Sequence, residues 1–162
     1  MSSAFTSHLP PFEGLLPKWL LLVSVISVAN SIQAYSTLSY TQRVYSSVIA
    51  PSPPSGGLSR TLKQPSASSP ETSSPVTPLS ARTFGTWTFL SSIIRLYAAY
   101  HINDPLIYQL ALWTYAIAWG HFMSEWWIFG TARWGAGLAG PVFVSTGSLA
   151  WMWLQKDFYV HS

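Results

Sequence analysis

His121 and Glu125 stand four positions apart, so on a helix they share one face. An imidazole beside a carboxylate can move a proton, and in an aromatic-lined membrane pocket (Trp113, Trp119, Trp126) the pair reads as a general acid–base couple. Arg95 interrupts an otherwise uncharged run, and an ionisable residue inside such a run is a functional hypothesis by default. It lies about seven residues, roughly 10 Å of helix, from the turn expected at Asn103-Asp104. The spacing predicts that it snorkels to that surface or pairs with Asp104. If the flanking helices form an antiparallel hairpin turning there, Glu125 falls level with Arg82, and an interfacial Arg82–Glu125 ion pair is expected. Asn30 and Gln33, with Ser91 and Ser92, are expected to hydrogen-bond between helices, at about 0.6–2 kcal/mol each. With Trp87, these residues form the candidate structural or interaction set, and for them a contact that holds a bundle together outweighs catalysis.

Other chemistries find no support. The four histidines (His8, His101, His121, His161) are isolated, so neither the paired-histidine helices of di-iron enzymes nor a His-Glu-x-x-His zinc helix is present. There is no Gly-x-Ser-x-Gly elbow, and a chain without cysteine has no disulfide, thiolate-bound metal or thiol nucleophile. Gly135-Ala136-Gly137-Leu138-Ala139-Gly140 matches a dinucleotide-binding spacing, with Asp157 beyond it. No buried strand precedes it and Pro141 follows at once, so the context of a βαβ unit is missing. Small residues four apart (Gly135/Ala139, Ala136/Gly140) instead suit close helix packing in lipid. The expectation is no catalytic residues, no cofactor and no metal.

The elements that must position these side chains follow from composition. Only 8% of the 162 residues are charged, against roughly a quarter in globular proteins. With 49% apolar and 15% aromatic residues, the long uncharged runs have to lie in lipid. A net charge of +3, scattered along the chain, does not suggest nucleic acid. Charge-free runs predict an all-α fold, a four-helix transmembrane bundle. A polar tail (1–16) precedes a first helix and its flank (17–45), three further helices fall at about 83–102, 105–125 and 135–155 within 81–155, and a tail (156–162) closes the chain. The first run begins too late and runs too long for a cleaved signal peptide. Pro105 sits where a helix tolerates proline, in its first turn, and Trp and Tyr near the helix ends suit membrane interfaces. Between the first two helices, 46–80 holds 14 Ser/Thr and seven Pro in 35 residues, with no aromatic residue and few aliphatic ones. It is expected to be a disordered loop, a length-tolerant spacer above all. Ser52, Ser69, Ser74 and Thr77, each before proline, are candidate phosphosites if it faces the cytosol. Arg43, Arg60, Lys63, Arg82 and Arg133 on one side, against Lys18 and Lys156 on the other, place that loop in the cytosol and both termini across the membrane.

Pro17-Lys18-Trp19-Leu20, Val23-Ser24 and Ala29-Asn30-Ser31-Ile32-Gln33 resemble the opening of the ergosterol biosynthetic protein 28 family. The block Ala81-Arg82-Thr83-Phe84-Gly85-Thr86-Trp87-Thr88-Phe89-Leu90-Ser91-Ser92-Ile93-Ile94-Arg95 resembles that family's most recognisable segment. Leu112-Trp113-Thr114, Gly120-His121-Phe122-Met123-Ser124-Glu125 and Phe129-Gly130-Thr131-Ala132 extend the likeness, which covers about 17–45 and 81–155. The resemblance implies a multi-pass endoplasmic-reticulum protein without catalytic activity of its own. Its partners would be the bilayer and the sterol C-4 demethylation enzymes: the C-4 methyl oxidase, the C-3 dehydrogenase/decarboxylase and the 3-keto sterol reductase. It supplies no catalytic residue to carry over. The competing reading is a membrane-embedded sterol-modifying enzyme, such as an isomerase, using His121 and Glu125.

Overall fold

The computed structural model describes residues 9–45 and 75–160, and all regular structure among them is helical. Four long helices, α1 (Leu16–Ser36), α3 (Pro78–Tyr100), α4 (Pro105–Trp127) and α5 (Ala136–Leu154), are accompanied by two short ones, α2 (Ser39–Val44) and α6 (Lys156–Tyr159). Of these, α1 alone is both long and apolar enough to cross a membrane by length and composition. The other three carry glycine, serine and tryptophan among their aliphatic residues, which lowers their hydropathy.

Each start has a local cause. Pro17 and Pro105 occupy the first turns of α1 and α4, where a missing N–H costs nothing. The Asp104 carboxylate accepts from Leu106 N (2.8 Å) and Ile107 N (3.1 Å), capping α4. α3 starts at Pro78, earlier than the expected 83, because Thr77 and Ser80 form a reciprocal capping box. Residues 75–80, where the composition predicts the end of a disordered loop, are therefore ordered, and Thr77 is a helix cap. The rest of that expectation (46–74, with Ser52, Ser69 and Ser74), like His8 and His161, lies outside the described residues.

Chain order gives an up–down–up–down bundle, with α3 between α1 and α4, and α5 against α4 and α2. The Asp104 end holds an apolar core of Leu16, Leu20, Ala98, Ala99, Ile102, Tyr108, Tyr115, Met152 and Tyr159. The Glu125 end holds a second, of Ala34, Val44, Phe84, Phe122, Leu138 and Val142. Between them the buried layer is polar: Ser24, Ser27, Ser31, Ser91, Ser92, Arg95, Thr114 and Ser145.

The α1–α3 seam shows what the serines of α1 do. Ser24, Ser27 and Ser31 recur on one face of α1 and let the backbones approach. Ser24 Oγ donates to Ser92 O and Ser31 Oγ to Gly85 O, each at 2.7 Å. A Cβ on Gly85 would sit 2.9 Å from the Tyr35 ring and 3.2 Å from Ser31 O, so only glycine fits without displacement. These bonds replace the expected ones. Asn30 bonds neither serine, Gln33 is exposed, and Ser91 and Ser92 donate to Trp87 O and Phe89 O of their own helix. At the α2–α5 contact the close approach falls on Gly137, where a Cβ would collide with Arg43 O. Gly135 and Gly140 have open space around them, so the expected pairs with Ala139 and Ala136 are not the packing contact.

Candidate functional site

At the Glu125 end, His121 Nε2 lies 2.6 Å from the Tyr45 hydroxyl, joining α4 to the residue that closes α2. Trp87, Phe122 and Tyr45 meet the imidazole edge-on at 5.3–5.9 Å. Burial, assisted by the Glu125 carboxylate and then by Tyr40, pushes the Tyr45 phenol well above its ordinary range, so it stays protonated. Glu125 Oε1 is 4.0 Å from His121 Nδ1, and the second carboxylate oxygen accepts from the Thr131 hydroxyl. The Glu125 backbone carbonyl also accepts from Thr131 N (3.0 Å) and Ala132 N (3.2 Å), so this residue anchors the α4–α5 loop. A cavity of about 530 Å³ opens here, lined by Thr41, Tyr45, Thr83, Phe84, His121 and Glu125 among others.

The Arg82–Glu125 pair is not formed: Arg82 is exposed, and the imidazole of His121 is the basic group that stands beside Glu125. The hairpin level was nonetheless sound, since Thr83 and Phe84 share the cavity with Glu125. What fails is the angle, because Arg82 is two positions, and so about 200°, from the inward-facing Phe84.

Arg95 points inward, neither snorkelling nor meeting Asp104, whose carboxylate is engaged at the cap of α4. It is 7% exposed. Its Nε donates to Thr114 Oγ1 (3.0 Å), Nη2 to Thr114 O (3.3 Å) and Nη1 to Ser27 Oγ (3.4 Å). The guanidinium carbon stands 4.1 Å over the Tyr115 ring. No carboxylate lies within ion-pair distance among the described residues. A second chamber, of about 240 Å³, is lined by Arg95, Ser27, Asn30 and Ser145 and by apolar and aromatic side chains that include Trp19 and Trp87. Phe84 and Trp87 border both spaces.

The aromatic pocket expected from Trp113, Trp119 and Trp126 does not exist. Trp113 and Trp119 face outward, while Trp126 stacks with Trp127 and lies tilted against Trp134 at the bundle's end. Tyr45, Thr131 and the Arg95 partners were not foreseen. The hairpin arithmetic that set Glu125 level with Arg82 also sets residue 112 level with Arg95, which brings Thr114 and Tyr115 within one turn of it.

This arrangement defines a class: a small helical bundle with an apolar exterior, a polar interior layer and two cavities separated by aromatic side chains. A family model described as Erg28 like protein matches residues 16–150, and the chain belongs to that family. It is 46% identical to ergosterol biosynthetic protein 28 of Candida albicans over 99% of this chain and 100% of that one. Identity to the protein of the same name is 43% in Saccharomyces cerevisiae, over 91% of this chain and 84% of the relative. In Gibberella zeae it is 36%, over 97% of both. No solved structure matches the chain.

Proposed function

We propose that α1, α3, α4 and α5 all cross the endoplasmic-reticulum membrane. On this reading the chain works in ergosterol biosynthesis as a non-catalytic scaffold that tethers the sterol C-4 methyl oxidase, C-3 dehydrogenase/decarboxylase and 3-keto sterol reductase. The observation that carries the pathway is near-full-length identity to relatives named for ergosterol biosynthesis. The membrane reading draws on helices of 21, 23, 23 and 19 residues, roughly 28–35 Å at 1.5 Å per residue, against a hydrocarbon core of ~30 Å. Their outward faces carry Leu22, Ile26, Phe89, Leu90, Leu110, Ile117 and Phe143, large apolar side chains better suited to lipid than to water. Polar groups face inward, the arrangement lipid demands.

Scaffolding draws on the Glu125 end. Trp127, Ile128, Phe129 and Trp134 stand exposed there, Trp127 at 79%, as aromatic anchors suited to a partner. Tethering raises the effective concentration of successive enzymes to the mM range, which keeps a poorly soluble intermediate from diffusing away. His121 and Glu125 hold α2 and the α4–α5 loop in place. The enzyme reading has one observation of its own, a histidine 4.0 Å from a carboxylate at the wall of a cavity.

His121→Ala separates the two. A scaffold loses sterol flux only in proportion to the client enzyme lost on co-purification. Loss of a general base lowers turnover ~10²–10⁴-fold. A stable His121→Ala protein that binds every client and is still inactive would make the chain an enzyme.

A further inference from the structure

Arg95 raises a question that the tether does not answer, because a buried guanidinium is costly to keep without an anion. Of its five N–H donors, three are committed, to Ser27 and Thr114. The hydroxyls around the chamber do not offset it: Ser91 donates to Trp87 O, and Ser145 to Pro141 O and Val142 O. Spare donor capacity and a charge met only by the Tyr115 ring face therefore coincide at one wall of a space whose other walls are largely apolar.

The chamber also has a way in. α1 and α5 are tied at the Asp104 end by Trp19 Nε1 donating to Ser148 Oγ (2.8 Å) and by the Trp19–Trp151 contact. At the Glu125 end α2 bridges to α5 through the Gly137–Arg43 approach. Between the ties the chamber wall runs through Ile26 and Gly140, both of which are exposed. On the membrane reading this gap faces lipid, and a ligand enters from the side.

We propose that this chamber binds the anionic group of an apolar molecule, a carboxylate above all, on Arg95, with the apolar body of the ligand lying along Trp19, Trp87, Val144 and the α1–α5 gap. A planar carboxylate matches the guanidinium fork, and the aromatic walls suit a flat or chain-like hydrocarbon. The site does not depend on the scaffold reading, because the chamber can be filled whether or not any enzyme docks. Two sources share this chemistry, a carboxylated sterol and a membrane fatty acid.

The test uses the full chain in phosphatidylcholine nanodiscs. Dibromostearic acid and its methyl ester are titrated while tryptophan fluorescence is read, since Trp19 and Trp87 line the chamber. The acid should quench at a mole fraction on the order of ten-fold below the ester, the worth of a charge-assisted hydrogen bond. Arg95→Gln should abolish that preference and Arg95→Lys should keep part of it. Should Arg95→Gln not fold, Gly140→Leu decides the matter: a Cβ there meets nothing within 4 Å, and the added side chain should block acid binding with Arg95 intact. Displacement by a 4-carboxysterol at lower mole fraction than by oleate identifies a sterol occupant, the reverse a fatty acid, and either supports the site. Equal quenching by acid and ester, displacement by phosphatidylserine as readily as by the acid, or acid binding indifferent to both Arg95→Gln and Gly140→Leu would overturn it.

Discussion

At the scale of single residues, the seam between α1 and α3 depends on one missing side chain. Gly85 lets Ser31 reach its carbonyl and lets Tyr35 lie against α3, where its hydroxyl meets Thr86 Oγ1 at 2.6 Å. Gly85→Val forces a branched side chain against both, and overpacking of this kind costs typically 1–3 kcal/mol. The expected outcome is lower steady-state abundance and a lower melting temperature in detergent. Gly140→Val, with no neighbour within 4 Å, should leave both near wild type. Equal behaviour of the two variants would show that the close approach at Gly85 is not limiting.

The element scale turns on where helices begin. Thr77 accepts from Ser80 N while Ser80 Oγ accepts from Thr77 N, so two otherwise orphaned donors are satisfied before α3 starts. Thr77→Ala should cost about 0.5–2 kcal/mol, read as a lower unfolding midpoint by circular dichroism, and Thr77→Asp should recover most of it. That start was hidden in the sequence for a physical reason. The Ser/Pro composition that marks a spacer also supplies good cap residues, and composition alone does not say where one use ends. The α4 start was legible from Pro105 in the first turn; the Asp104 cap beside it was not, because the spacing assigns Asp104 to Arg95 instead. Hairpin level was also legible, from counting residues either side of the turn. Angle was not: which face of α3 looks inward depends on α1, and α1 is amphipathic in serine rather than in charge. Thus the sequence points to Asn30 and Gln33 as the interhelical residues, whereas Ser24, Ser27 and Ser31 make the seam. Close approach favoured the small hydroxyl.

For the whole molecule, the inward polar layer and outward apolar belt set the topology to be tested. Arg43, Arg82 and Arg133 all stand at the Glu125 end, where α2 meets α5 and the α4–α5 loop turns. The basic asymmetry predicts that this end faces the cytosol. A protease-cleavable tag placed between residues 46 and 74 should be cut after selective permeabilisation of the plasma membrane, with tags at both termini protected. Protection of the loop tag would reverse the orientation. Removing about twenty residues from that stretch should leave sterol output nearly unchanged if it serves as a spacer, since loop-closure cost varies only slowly with length. A loss of output would make it a docking element.

Neighbours in the bundle are not always neighbours along the chain. α1 touches α3 more extensively than any other pair of helices meets, through two buried serine hydrogen bonds and the Tyr35–Thr86 contact, yet 41 residues separate Ser36 from Pro78. Covalent continuity across that interval is then a convenience of synthesis rather than a condition of assembly. Each half can insert first and find the other within the plane of the bilayer, as preformed helices do. Residues 1–50 and 70–162 expressed as separate polypeptides should therefore co-purify and restore sterol synthesis in cells lacking the intact chain. Gly85→Val, harmful in one piece, should be far worse in two, because the severed halves have lost the tether that would otherwise mask a weakened seam.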